Sequence, residues 1–133
     1  MKLIAAIEDR GGMLFNHRRC SRDRVLNQWI TNLVGEKTLW VHPYSLDLFP
    51  DARTDENFLD KAGEDDFCFV EDCSVKVFAD RVSELYLCHW NRRYPADFFF
   101  DLPMGPMLLK KEEEFVGSSH DKITVEQWKR ENL

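Results

Sequence analysis

Between Gly12 and Arg24 the chain gathers four arginines (Arg18, Arg19, Arg22 and Arg24), His17, and one carboxylate, Asp23. Guanidinium groups hold carboxylates and phosphates in a two-pronged grip. A helix N-terminus adds backbone amides that also favour anions. These residues predict a pocket for a small anionic ligand, with Arg18 and Arg19 as donors and His17 beside them. A structural role competes with this reading. Asp23 two residues after a helix cap at Ser21 is stabilised by the helix dipole alone. Arg22 and Arg24 have surplus carboxylates to pair with, since 24 Asp and Glu outnumber 18 Lys and Arg for a net charge of −6.

Other chemistry-bearing residues are sparser. The four cysteines (Cys20, Cys68, Cys73 and Cys88) lie in or beside apolar runs without the spacing of a disulfide scaffold, and they are expected as reduced thiols. No His or Cys pair has zinc-site spacing, so no metal is expected. Cys88 and His89 would sit on opposite faces of one strand. A Cys20–His120 nucleophilic pair stays open, with buried cysteine as the simpler explanation. Trp90, Tyr94 and Phe98 to Phe100 surround Asn91-Arg92-Arg93, a mix used on single-stranded nucleic-acid platforms. The acidic balance argues against nucleic acid, whose affinity rests on clustered cations.

The elements that must position these residues follow from periodicity. Short apolar runs at Lys2 to Ile7, Thr38 to Val41, Phe67 to Val70 and Glu84 to Trp90 predict buried strands. Val25, Leu26, Trp29, Ile30, Leu33 and Val34 predict one helix face, with Ser21 as N-cap and Gly35 past its end. A short helix is expected at Asn57 to Ala62, and a second amphipathic one from Ser74 to Val82 with Val75, Phe78, Ala79 and Val82 inward. Pro43-Tyr44-Ser45 begins a turn that Pro50 stops. Two alternating runs around Gly117-Ser118-Ser119-His120 predict a terminal strand pair. Lys110 to Glu114 reads as a solvated loop or strand start. Residues 1–133 are expected to form one domain with a mostly parallel sheet and an antiparallel C-terminal hairpin. The N-terminal apolar run is too short for a signal or membrane span, so a cytoplasmic, membrane-free protein is expected. The phenylalanine segment and the last strand leave a homodimer open.

Two stretches, SELYLCHWNRRYPADFFFDLP and EFVGSSHDKITVEQWKR, resemble the last third of dihydrofolate reductase, where a strand of type ELYLT precedes an AD-x-FFP turn and a hairpin bearing an SH pair. Met1 to Ala6 resembles that family's first strand. The resemblance implies an α/β fold, the dihydrofolate reductase-like three-layer sandwich, in a diverged, short member. It places Asp23 at the family's acidic substrate-binding residue, and Ser45 to Pro50 at a T-x-E-S-F-P segment near the cofactor's phosphates. The basic Gly-Arg-Lys before that segment is replaced by His42-Pro43-Tyr44. The Gly-Gly pair that lets amides approach the pyrophosphate falls on Glu71-Asp72-Cys73. An L-P-W loop segment is replaced by His17-Arg18-Arg19, and the aromatic that stacks on folate falls near Asn27.

These replacements predict a protein that does not use NADPH and has no other cofactor. It would be a small-molecule or protein-binding module for an anionic or heterocyclic ligand, with Arg18, Arg19, His17, Ser45 and Asn27 as ligand contacts. The alternative is an NADPH-dependent reductase of a pteridine- or pyrimidine-like substrate, with Asp23 as catalytic acid. A ribonuclease of the ribonuclease Z type is a third class, disfavoured because its His-x-His-x-Asp-His metal motif is absent.

Overall fold

The computed structural model describes residues 1–131. Three parallel strands run through the middle of the main sheet: β1 (Lys2–Ile7) pairs β6 (Phe67–Val70) on one side and β7 (Glu84–His89) on the other. Beyond β6 come β4 (Leu39–Val41) and β5 (Arg53–Thr54), both parallel. Beyond β7 come β10 (Ile123–Arg130) and then β9 (Met107–Phe115), both antiparallel. The order is β5-β4-β6-β1-β7-β10-β9, a mostly parallel sheet closed by an antiparallel hairpin.

Alternation along the central strands sends side chains into two cores. Leu3, Ala5, Cys68, Val70, Leu85 and Leu87 point to one face, and Ile4, Phe67, Phe69, Tyr86 and Cys88 to the other. Each face needs a cover. Helix α1 (Arg24–Val34) supplies one by burying Leu26, Ile30 and Val34, each contributing on the order of 2 kcal/mol. The other is covered by α2 (Phe58–Lys61) and by a 3-10 segment, Lys76–Arg81. No helix among the described residues is long and apolar enough to cross a membrane.

Four expectations need correcting. The cap of α1 is Asp23, which accepts from the amides of Val25 and Leu26; Ser21 is turned elsewhere. Val25 faces outward, 39% exposed, because the inward face starts one residue later. The second amphipathic helix is a 3-10 turn. Three β-branched valines disfavour a longer α-helix, and Asp101 ties down its start by accepting from Ser74 Oγ and the Val75 amide. Lys110 to Glu114 is the middle of β9, an exposed edge strand.

A second, three-stranded sheet is additional to the sequence reading. It joins β2 (Gly12–Phe15) to β3 (Arg18–Arg19) and to β8 (Phe98–Phe99). Asn16 and His17 form the two-residue turn between β2 and β3, both at positive φ (50° and 63°), the geometry that suits a tight hairpin. Gly12 is required where it stands, since a Cβ there would lie 2.2 Å from Ala96 Cβ. This sheet carries Arg19 over the C-terminal ends of β1 and β6.

Cys68 and Cys88 lie fully inside the two cores, and burial pushes the Cys68 thiol up to about 12. Cys73 is pushed up to about 12 by the same cause. Alkylation by iodoacetamide at neutral pH should leave Cys68 and Cys88 unmodified in the folded protein and label both once urea unfolds it. Peptide mass spectrometry reads that difference.

Candidate functional site

The C-terminal ends of parallel strands are where α/β sheets bind ligands. In this chain that end holds a narrow cleft lined by Ala6 of β1, Phe69 and Glu71 at the end of β6, Trp90 after β7, Arg19, and Ser21, Arg22, Leu26 and Asn27 at the start of α1. Two polar clusters fill most of it.

The first cluster is centred on Asp23. Its Oδ1 accepts from the amides of Val25 (2.9 Å), Leu26 (3.2 Å) and Ser118 (3.0 Å), and its Oδ2 from the Ser119 amide (2.8 Å). His120 Nδ1 lies 2.9 Å from the same Oδ2. Both side chains are inaccessible, at 0% and 1% exposure. Burial pushes the Asp23 carboxyl upward, but the His120 ring and the Ser119, Ser118 and Leu26 amides outweigh it and hold the group far below the usual carboxylate range. An ionised Asp23 is acceptor-only, so the proton of the 2.9 Å contact belongs to Nδ1. The other ring nitrogen, Nε2, lies 3.0 Å from both Ser21 Oγ and Tyr94 Oη. Trp90 stacks on the imidazole at 4.5 Å between ring centres. Gly117 makes room for this packing, as a Cβ there would fall 2.4 Å from Asp23 Oδ2.

Tyr94 is fixed from the other side by Glu8, which is 1% exposed. Glu8 accepts from the amides of Arg10, Gly12 and Tyr94, and Arg10 reaches back to the Tyr94 carbonyl. Burial raises the Glu8 carboxyl, yet these amide bonds and the Arg10 side chain leave it net lowered. Two depressed carboxylates set the sign of the acid response. Their contribution is fully present above the ordinary carboxylate range near pH ~4 and is lost as pH falls toward their lower folded values. Stability should therefore drop steeply below about pH 4, and Asp23→Asn should flatten that slope in urea titrations followed by circular dichroism.

The second cluster is centred on Arg19. Its guanidinium grips Asp47 through two nitrogens (2.8 and 2.9 Å) and Glu71 through two more contacts (2.9 and 3.1 Å). It also lies 4.9 Å from the Tyr44 ring centre. Burial lowers the pKa of Arg19, and the bonds to Asp47 and Glu71 reverse that and raise it overall. Glu71 takes a further 2.5 Å bond from Ser45 Oγ, a fully buried hydroxyl. Next to it Asp72 Oδ2 sits 3.0 Å from His42 Nδ1, while Asp72 Oδ1 is buried with no hydrogen-bond partner among the described residues. This end of the sheet therefore carries the carboxylates of Glu71 and Asp72.

The expected site residues divide accordingly. Arg19, Asn27 and Glu71 line the cleft, while Asp23 and Ser45 are buried behind its wall, bonded to His120 and Glu71, and Asp72 follows Glu71 after β6. Arg19 is not a free donor, since Glu71 and Asp47 already occupy it. The first amides of α1 are not free either, because Asp23 takes those of Val25 and Leu26 and Ser118 Oγ takes that of Arg24. His17 and Arg18 lie outside the cleft on the exposed hairpin. Arg18 lines a shallow outer hollow of about 490 Å³ with Phe15, Asn16, Arg19, Cys20, Tyr94 and Pro95. Cys20 points its thiol at the Pro95 carbonyl, while His120 is engaged with Asp23, Ser21 and Tyr94, so the two do not pair. No group of three metal-ligating side chains comes together among the described residues. The central role of His120 escaped the sequence reading. Its signal was the Ser-Ser-His run in the hairpin loop, with nothing to say that it folds back onto Asp23.

Strand order, helix placement and the terminal hairpin define the dihydrofolate reductase-like fold. The solved dihydrofolate reductase from Enterococcus faecalis, complexed with NADP(H) and RAB-propyl, is similar with a TM-score of 0.73, covering 99% of this chain and 97% of that one at 11% identity. At that identity the likeness establishes the fold alone. No protein-family model and no curated protein matches the sequence.

Proposed function

We propose that this chain is a binding module on a dihydrofolate reductase-like scaffold and does not reduce substrates with NADPH. The observation that carries the reading is the Arg19–Glu71–Asp47 cluster, with Ser45 beneath it, filling the cleft at the strand ends. The space left there is about 10 Å³, room for about one water molecule and far too little for a heterocycle. Where the family resemblance places a pyrophosphate, the chain carries Glu71 and Asp72. Glu71 is already compensated by Arg19, but a phosphate charge about 4 Å from Asp72, whose Oδ1 has no hydrogen-bond partner among the described residues, costs between ~1 and ~4 kcal/mol, depending on local polarisability. Asp23, at the position of the family's acid, spends its oxygens on backbone amides and His120.

The ligand site is the outer hollow. Arg18 supplies an exposed cation there, and Phe15 and Tyr94 supply aromatic surface, a combination suited to a small anionic or heterocyclic molecule. The test is a turnover assay with NADPH and dihydrofolate over a range of pH. No oxidation of NADPH above the blank is expected. Turnover that disappears in Asp23→Asn would establish a reductase and overturn the proposal.

A further inference from the structure

Asp23 Oδ2, His120 and Ser21 Oγ stand in a line of two hydrogen bonds, 2.9 Å to Nδ1 and 3.0 Å from Nε2. This is the order in which a carboxylate, an imidazole and a serine hydroxyl make a nucleophile. We propose that Ser21 is the nucleophile of an acyl-transfer site that hydrolyses esters of a short acyl group, acetyl in size.

Five observations converge on this. The ionised, buried Asp23 obliges Nδ1 to carry the ring proton, which leaves the Nε2 lone pair facing Ser21. The ring cannot turn away, because Trp90 lies flat against it and Asp23 is locked by four amides. Ser21 is free to serve: although it precedes α1, Asp23 has taken over the capping role, and the serine is only partly buried on the cleft wall. The enclosed gap beside it, about 10 Å³, holds one water and no acyl chain, so an ester must reach the half-buried Ser21 from its solvent side, which favours a short acyl group. Arg22 and Asn27 line the same wall and are the donors at hand for a developing oxyanion.

In the first step Ser21 Oγ attacks the ester carbonyl while its proton passes to Nε2. The tetrahedral intermediate collapses by breaking the bond to the alcohol oxygen, which takes that proton and departs. A water then gives its proton to Nε2, attacks the acyl-serine carbonyl, and releases the carboxylic acid as Oγ recovers the proton. Asp23 is a positioning residue throughout, holding the tautomer and balancing the imidazolium. Tyr94 Oη is the competitor, at the same 3.0 Å from Nε2.

The experiment treats the full chain with a small fluorophosphonate and with p-nitrophenyl acetate and butyrate, locating any adduct by peptide mass spectrometry. The expected result is an adduct on Ser21 and faster acetate than butyrate hydrolysis. Ser21→Ala should abolish both, and His120→Gln should slow labelling about 100-fold in protein whose circular dichroism is unchanged. Asp23→Asn should be slow at neutral pH and recover as pH rises, which a purely structural role would not produce. Tyr94→Phe leaves Ser21 alone on Nε2 and should label faster. The proposal is overturned by no adduct, by an adduct elsewhere, by hydrolysis that survives Ser21→Ala, or by slower labelling in Tyr94→Phe.

Discussion

Replacing Asp23 by alanine should destabilise the protein by about 3–5 kcal/mol, the sum of a lost helix cap and of buried N–H donors left without an acceptor at about 1–3 kcal/mol each. Total stability for such a chain is roughly 5–15 kcal/mol, so the variant should sit near the edge of folding. The loss has three parts. Val25 and Leu26 lose the cap of the helix that covers one face of the sheet, and a lost cap alone costs ~1 kcal/mol. Ser118 and Ser119 lose the acceptor that holds the β9–β10 connection against α1. His120 keeps a ring N–H in an apolar enclosure with nothing to receive it. Urea unfolding should show a lower midpoint at unchanged slope. An aspartate kept for its action on a ligand would behave in the opposite way, because removing a strained functional charge tends to stabilise. A rise in midpoint would contradict the role given to Asp23.

Arg19→Ala should cost a similar ~3–5 kcal/mol, since Glu71 would stay buried with only the Ser45 hydroxyl as partner. The informative comparison is the double variant Arg19→Met with Glu71→Leu. Both charges then leave together, apolar groups of similar length fill the space, and most of the stability should return. The single loss should persist in high salt, because the Arg19 and Glu71 side chains are only 16% and 8% exposed and screening acts weakly there. Equal losses in the single and double variants would mean that shape, and not charge pairing, holds the cleft closed.

The parts of the fold that could be read from the sequence are those with a repeating physical signal. Lys2–Ile7, Phe67–Val70 and Glu84–His89 are short apolar runs buried on both faces, and α1 shows its inward residues at helical spacing. The small second sheet had no such signal, because β3 and β8 are two residues each and the Asn16-His17 turn carries no glycine. The cap was misplaced by two residues, since Ser21 and Asp23 are both capping types. Their choice is made by His120, 97 positions from Asp23, whose ring takes the Ser21 hydroxyl. Asp23, Arg19, Glu71 and Ser45 were legible as chemically notable, but the pairing of Arg19 with Glu71 is a contact across 52 positions that no local pattern encodes. That pairing turned an expected free donor into a plug.

The central claim, that a reductase-type scaffold here has no working dinucleotide cradle, is tested most directly by titrating NADPH into the purified protein in a calorimeter. The account predicts no saturable heat at millimolar cofactor, in the parent chain and in Glu71→Gln alike. Saturable binding of the parent chain at micromolar NADPH would contradict it.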